Sequence, residues 1–258
     1  MAVHLRNLLN GVIAETRVQP IGKRVRGFAG DRLVLDSERV VLVWEPRRYL
    51  PEYAVPEADL LADVVEDRAP AVDAPEGLLP PSVPFAAHSA PGTPLTLKVG
   101  DRVLEGAGFR HHDPDVARLV VVDSKALDAW WEEDEPVLGH PRDPLHRIEC
   151  LPSARRVVVR CGDTVLADST RPVLLFEPPL PVRYYLPRED VRLGLLEVSD
   201  THTICPYKGV ASYLSHAHDG VVTQDVAWTY PEALHDALPV QDLVCFYPEK
   251  VDVEVTPG

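Results

Sequence analysis

The chain has 258 residues, and its 26 basic and 40 acidic residues give a formal net charge of −14. The acidic balance argues against a nucleic-acid-binding protein, which needs clustered lysine and arginine. No apolar stretch approaches the roughly 18 residues of a membrane span. A content of 45% apolar and 26% charged residues is typical of a globular protein with one large or two ordinary domains.

The N-terminal segment, residues 1–20, predicts a short amphipathic helix rather than a signal peptide. Leu5, Leu8, Leu9 and Val12 recur at helical spacing, and polar residues interrupt the apolar run. The four cysteines form no CxxC pair, which excludes the zinc-ribbon and thioredoxin patterns. We therefore expect a cytoplasmic protein whose cysteines are free thiols.

The strongest internal signal is a repeat. The segment GDRLVLDSERVVLVWEP at 30–46 matches GDTVLADSTRPVLLFEP at 162–178, with a constant offset of 132 residues that also relates Glu45 to Glu177. Beyond one inserted residue, Tyr53 aligns approximately with Tyr185. The repeat predicts two tandem copies of one domain.

The predicted organisation has four parts. They are an N-terminal helical segment at 1–20, a degenerate first copy at 21–130, an acidic linker at 131–150 and an intact second copy at 151–258. The acid run at 132–135 is interpreted as a solvated face. In the first copy, nine prolines fall within 51–94, where the second copy has its richest chemistry.

Short β-branched and apolar runs predict a mainly β fold with short helices. The runs 156–160 and 173–176 favour strands, and Gly-Asp at 162–163 favours a hairpin turn between strands. The runs 119–122 and 243–247 predict central strands. A short helix is expected at 187–191, because proline stands at its first turn and acids follow.

The second copy carries motifs of a known family. They are FEPPLPVRYYLPREDV at 176–191, CPYKG at 205–209, AWTYP at 227–231 and CFYPEKVD at 245–252. These motifs resemble the domain of unknown function 427 family, closely over 130–258 and weakly over 20–130. The resemblance implies tandem copies of a small two-sheet β domain similar to the β-tent group. Proteins of this family are sometimes labelled nucleotidyltransferase-like, although no activity is established for the family.

The motifs of the second copy predict a pocket for a small anionic, partly planar ligand such as a nucleotide. Cations beside aromatic rings favour such a ligand, because guanidinium and ammonium groups pair with anions and rings stack. The predicted wall consists of Arg183, Tyr184, Arg188, Tyr207, Lys208, Trp228, Tyr230 and Tyr247. Trp228 and Tyr230 are two residues apart, so a strand would point them the same way.

Lys208 is one of only five lysines among the 26 basic residues, and Pro206 and Gly209 would hold its loop. As an anion anchor it would be open to solvent, and Lys208→Ala would weaken binding by about one to two decades with nearly unchanged stability. As a cap of buried carbonyls it would instead be needed for stability. Both interpretations are open from the sequence.

Two other classes of function are open as well. In an enzyme, Cys205 is the candidate catalytic nucleophile, because a nearby ammonium lowers a thiol pKa, although a structural thiol fits the same position. Nucleotidyl transfer normally needs metal-binding carboxylates, and no acidic pair is clearly placed for that. In the third class the two copies pack on each other as a structural module without ligand. The oligomeric state is not predicted.

The linker residues His140, Arg142, Asp143 and His146 are expected to close the pocket. Their spacing suggests metal ligands, but intervening prolines forbid the helix that would align them, so we predict no metal and no cofactor. Glu45 and Glu177 end a strand in both copies. Since the degenerate copy keeps this glutamate, we expect backbone or turn partners for both.

Overall fold

The computed structural model describes residues 2, 7, 11–68, 70–178, 180–218 and 221–258. Within them the chain is mainly β and divides into two compact units, Met1–Pro144 and Leu145–Gly258. Part of the predicted N-terminal helical segment, residues 1, 3–6 and 8–10, lies outside the described residues, and the prediction is wrong for its end, where Arg17–Pro20 form a β-strand. No helix in the described part of the chain is long and apolar enough to cross a membrane. All four cysteines are free thiols, as expected.

The first unit contains two main sheets. Its strands are β1 (Arg17–Pro20), β2 (Val25–Ala29), β3 (Arg32–Ser37), β4 (Val41–Trp44), β5 (Glu52–Pro56), β6 (Asp63–Glu66), β7 (Val72–Asp73), β8 (Ala87–His88), β9 (Gly92–Val99), β10 (Arg102–His111), β11 (Leu119–Val122), β12 (Ala129–Glu132) and β13 (Glu135–Pro136). A seven-stranded sheet has the order β1-β4-β5-β11-β10-β9-β6, and a four-stranded sheet has the order β13-β12-β2-β3. Strands β7 and β8 form a separate parallel pair. A 3-10 helix covers Glu57–Asp59.

The second unit is built in the same way. Its strands are β14 (Glu149–Pro152), β15 (Arg156–Cys161), β16 (Thr164–Ser169), β17 (Val173–Phe176), β18 (Arg183–Leu186), β19 (Leu196–Cys205), β20 (Gly209–His218), β21 (Val221–Thr229), β22 (Val244–Phe246) and β23 (Asp252–Thr256). The seven-stranded sheet has the order β14-β17-β18-β22-β21-β20-β19, and the smaller sheet has the order β16-β15-β23. Short 3-10 helices cover Arg188–Asp190, Leu193–Leu195 and His235–Val240.

The two seven-stranded sheets share one strand order, strand for strand, and in the smaller sheets β12, β2 and β3 correspond to β23, β15 and β16, while β13 has no counterpart. The mainly β fold is confirmed, and the shared order supports the two-copy prediction. The runs predicted as central strands form β11 and β22, each the fourth strand of its seven-stranded sheet. The hairpin turn at 162–163 is also present, with Gly162 at a φ of 57° that suits glycine.

The polar residues shared by the repeat make equivalent contacts in the two units. Ser37 donates to Asp59 (2.6 Å) and Ser169 to Asp190 (2.7 Å), while Arg24 pairs with Asp36 and Arg156 with Asp168. Because these ion pairs are solvent-exposed, each contributes little to stability. They fix local geometry in both copies and are not part of a ligand site.

The pairing register corrects one alignment. Leu42 pairs with Tyr53 in the first unit, and Leu174 pairs with Tyr184 in the second. Tyr184, rather than Tyr185, therefore corresponds to Tyr53, and both pack in the core between the sheets. The sequence match was one residue off because of the inserted residue, and a shift of one residue reverses the face of a strand.

The segment 131–150, predicted as a linker, contributes strands to both units: β13 and the end of β12 in the first, and the start of β14 in the second. Its acid run is not wholly a solvated face. Glu132 is buried and accepts hydrogen bonds from Tyr53 Oη (2.8 Å) and Lys23 Nζ (2.6 Å). The interpretation as a solvated face is therefore wrong for Glu132, whose charge is paired inside the first unit.

Candidate functional site

One face of the second unit's seven-stranded sheet packs on the smaller sheet, and the other carries aromatic and polar groups. We call the latter the aromatic face. Its buried members are Tyr185, Tyr213, Trp228, Tyr230 and Cys245, together with aliphatic side chains. Trp228 and Tyr230 share this face, as their spacing predicted. Tyr184 packs on the opposite face, because neighbouring residues of a strand point to opposite sides.

The interior of the aromatic face holds its titratable groups in neutral form. Trp228 Nε1 donates a hydrogen bond to Tyr185 Oη at 3.1 Å. Burial raises the pKa of Tyr185, of Tyr230 and of the Cys245 thiol above their ordinary values. These groups therefore shape the face rather than supply charge or a reactive thiolate.

Lys208 is buried and forms an ion pair with Glu177, with Nζ 2.5 Å from Oε2. His146 Nε2 lies 3.0 Å from Oε1 of the same carboxylate, and the His146 ring packs against Tyr207 with centroids 4.3 Å apart. Burial opposes ionisation of Glu177, but the contacts with His146 and Lys208 outweigh it and hold its pKa below the ordinary value. The Lys208 ammonium is thus already neutralised by an internal carboxylate.

This arrangement corrects the expectation for the two repeated glutamates. A backbone or turn partner was expected, but both oxygens of Glu177 contact charged or titratable side chains. Glu45 has both a side-chain and a backbone partner. Its carboxylate contacts His88 Nδ1 at 2.6 Å and accepts a hydrogen bond from the backbone Ser89 N at 2.8 Å. The repeat therefore preserves a buried carboxylate with a basic partner.

Arg183 is a partly buried cation of the aromatic face, with 19% of its side chain exposed. Its Cζ lies 5.5 Å from the Trp228 ring centroid and 5.6 Å from that of Tyr247, within the range of cation–π attraction. Its terminal nitrogens lie 3.2 Å from the Glu249 carboxylate, whose side chain is 57% exposed. The guanidinium is therefore oriented by rings while its ion-pair partner remains in solvent.

Lys250 also contacts Tyr247, with Nζ 5.3 Å from the ring centroid, and it donates to the Gln224 carbonyl at 2.9 Å. The half-buried Tyr247 thus has two cations near its ring, and its phenol lies 3.3 Å from that of Tyr213. Sequence reasoning did not place Lys250 or Glu249 in the site. The scarcity of lysine, and their position in the CFYPEKVD motif, were the available signals.

Two further predicted residues lie at the edges of the second unit. Arg188 is exposed on the 3-10 helix Arg188–Asp190. Cys205 is half-buried at the end of β19, close enough to Tyr230 to raise the pKa of that phenol in addition to the larger effect of burial. Neither position provides an anchor as well oriented as Arg183.

The boundary between the units separates the four linker residues. His140, Arg142 and Asp143 belong to the first unit, where His140 and Arg142 line different cavities. His146 belongs to the second unit and joins the Glu177–Lys208 pair. Of these four residues, His146 is the one that the described contacts join to the Glu177–Lys208 pair of the second copy.

Three cavities lie among the described residues of the first unit, whereas the sequence predicted a pocket in the second. Their volumes are about 490, 410 and 30 Å³. The smallest is lined by Arg48, Glu52, Asp123 and Lys125, among others. The aromatic face is accordingly treated as a surface site and not as an enclosed pocket.

Glu52 of the smallest cavity makes the stability of the first unit pH-dependent. Burial raises its pKa to about 7, against a hydrogen bond from Ser124 N at 2.9 Å. The folded state then binds more protons than the unfolded state between the unfolded pKa and 7, so stability falls as pH rises through this window. We expect a slope of at most about 1.4 kcal/mol per pH unit, and a flatter profile in Glu52→Gln. Urea unfolding at a series of pH values measures it, and equal slopes in the two proteins would contradict it.

The second unit is thus a two-sheet β domain with a buried carboxylate–lysine pair beside an aromatic face. Residues 149–257 match the family described as a domain of unknown function (DUF427), the family that the motifs of the second copy indicated. No curated protein matches the chain. In the described part of the chain, no group of three or more His, Cys, Asp or Glu residues is arranged to hold a metal.

Proposed function

We propose that the second copy binds a small anionic, partly planar molecule of the nucleotide type at its aromatic face. The observation that carries the proposal is Arg183, whose guanidinium lies against the rings of Trp228 and Tyr247. Its partner Glu249 is largely exposed, and such an ion pair contributes about 0–1 kcal/mol. An anionic group can therefore replace the Glu249 carboxylate with little loss.

The surroundings of Arg183 match both parts of such a ligand. Lys250 adds a second positive charge on the same aromatic side chain, Tyr247. The half-buried ring of Tyr247 is fixed by contact with Trp228, with centroids 4.3 Å apart. A planar group can stack on a ring held in this way, while the anionic group pairs with the guanidinium.

In this proposal Lys208 is a positioning residue. Its ammonium is occupied by Glu177, so it holds the 205–209 loop on the sheet and does not reach the ligand. Arg183 and Lys250 take the role of anion anchor that the sequence gave to Lys208 and Arg183. Trp228 and Tyr247 keep the role that the sequence assigned to them, whereas Tyr184 packs on the opposite face.

We expect Arg183→Met to weaken the binding of adenosine 5′-monophosphate roughly 10- to 100-fold, because a charge-assisted contact contributes about 1.5–3 kcal/mol. Stability should change little, because the ion pair with Glu249 is exposed. Isothermal titration calorimetry on the full chain measures the affinity. Arg188→Met, on an exposed arginine of the same unit, is the matched control. Equal affinity in wild type and Arg183→Met would contradict the assignment.

An enzyme is the second candidate, favoured by the buried Glu177–Lys208–His146 group, since clusters of buried titratable groups concentrate at catalytic sites. It would act through Cys205 or by nucleotidyl transfer. Selective alkylation of Cys205 by iodoacetamide, with Cys205→Ser as control, tests the first of these. A structural module without ligand is the remaining alternative, and it predicts no ligand-dependent rise in melting temperature.

A further inference from the structure

The first copy has a polar cluster of its own where the second copy has its CPYKG loop. Leu95 pairs with Gly108 as Leu214 pairs with Ala227, and the register continues without a shift toward the start of both strands. Counting back from these pairs, Ser89 takes the position of Lys208. The degenerate copy has therefore replaced the loop lysine rather than lost the site.

Glu45 and His88 form the centre of this cluster, which we call the Glu45–His88 cluster. Glu45 Oε1 lies 2.6 Å from His88 Nδ1, and Oε2 accepts a hydrogen bond from Ser89 N at 2.8 Å. Burial opposes ionisation of Glu45, but its contacts with His88 and Ser89 outweigh it and hold its pKa below the ordinary value. A carboxylate bound to Nδ1 fixes the imidazole and directs Nε2 to a further partner.

His111 adds a second buried imidazole to this cluster. It is 1% exposed, and neither of its ring nitrogens has a hydrogen-bond partner within the described residues. Its Nε2 lies 3.9 Å from Glu45 Oε1. Unpaired buried polar groups are rare and unfavourable, and they concentrate where a protein binds or reacts.

The Glu45–His88 cluster borders a cleft of about 490 Å³. The proline-rich segment forms one wall, where β7 pairs in parallel with β8, and His88 lines the cleft with a side chain that is only 3% exposed. The charged and titratable lining residues are Arg47, His88, His112 and Asp73. Arg47 and Asp73 are the two formal charges among them, and two imidazoles stand beside them.

The proline-rich segment holds the Arg47 side chain at the mouth of the cleft. Arg47 Nη1 donates to the carbonyls of Pro75 and Gly77 at 2.6 and 2.8 Å. These bonds orient the guanidinium and use one of its terminal nitrogens. The fixed guanidinium donates to a small oxyanion, and the imidazole bound to Glu45 donates to the same anion through Nε2 when its ring is doubly protonated.

We propose that this cleft is a second ligand site, which binds a small carboxylate or phosphate group through Arg47 and His88. It is chemically distinct from the aromatic face, because it offers imidazole donors and a cavity in place of an aromatic surface. It does not depend on whether the second copy binds a nucleotide.

Histidine Cε1–H NMR signals of the full chain, titrated separately with inorganic phosphate and with acetate, test the site. We expect saturable shifts of the His88 and His112 signals with one or both anions, and the stronger anion identifies the preferred group. Arg47→Met should weaken the binding about tenfold, the factor that corresponds to 1.4 kcal/mol.

Two variants distinguish binding in this cleft from binding at the aromatic face. Arg47→Met leaves the Glu45–His88 pair intact, so it tests binding without disturbing a buried ion pair. Arg183→Met, in the second copy, should leave both titrations unchanged, so failure of the nucleotide proposal does not affect the result. The absence of saturable shifts with both anions, or unchanged binding in Arg47→Met, would overturn the proposal.

Discussion

Lys208→Met is expected to destabilise the second unit by about 3–5 kcal/mol, because it leaves the Glu177 carboxylate buried without its cation. Methionine keeps most of the side-chain volume, so the effect isolates the charge. The sequence left two expectations open, nearly unchanged stability for a solvent-exposed anion anchor and lost stability for a structural lysine, and the buried pair favours the second. Urea unfolding followed by the indole N–H signal of Trp228 measures this unit separately from the tryptophans of the first.

The double variant Glu177→Gln, Lys208→Met is the control for this expectation. It removes both charges, and replacement of both members of a buried pair is often close to neutral. We expect it to recover most of the lost stability. A Lys208→Met protein within about 0.5 kcal/mol of wild type, the range typical of surface substitutions, would contradict the structural role of the pair.

Gly209→Ala is expected to destabilise the second unit by at least about 1–3 kcal/mol. Gly209 has a φ of 100°, which costs other residues about that much, and an added Cβ would lie 2.8 Å from the Glu232 carbonyl oxygen. The clash is with backbone, so a side-chain rotation cannot relieve it. Gly194→Ala is the matched control, because its added Cβ would meet nothing within 4 Å. Equal unfolding free energies for the two variants would contradict this account of the loop.

The sequence predicted the fold well where the pattern was local. The apolar runs at 119–122 and 243–247 form central strands, because a strand buried on both faces reads as a continuous apolar segment. Trp228 and Tyr230 share a face because side chains alternate along a strand. The Gly-Asp turn and the 3-10 helix after Pro187 likewise follow from the residues themselves.

The site was less predictable because its contacts are long-range. Glu177 and Lys208 are 31 residues apart in sequence, and only the path of the sheet brings them together. Tyr184 was assigned to the predicted wall with its neighbour Arg183, but neighbouring residues of a strand point to opposite faces, so Tyr184 packs in the core. The proline-rich segment was interpreted as a lost site, although it builds the cleft around His88.

The most direct test of the central claim is the indole N–H NMR spectrum of the full chain during titration with adenosine 5′-monophosphate. The chain has four tryptophans, of which only Trp228 follows residue 144. We predict a saturable shift of the Trp228 signal that Arg183→Met removes, with the signals of the three others unchanged. A Trp228 signal that stays constant up to high ligand concentration, or a shift confined to the other three, would contradict a nucleotide-type site on the aromatic face.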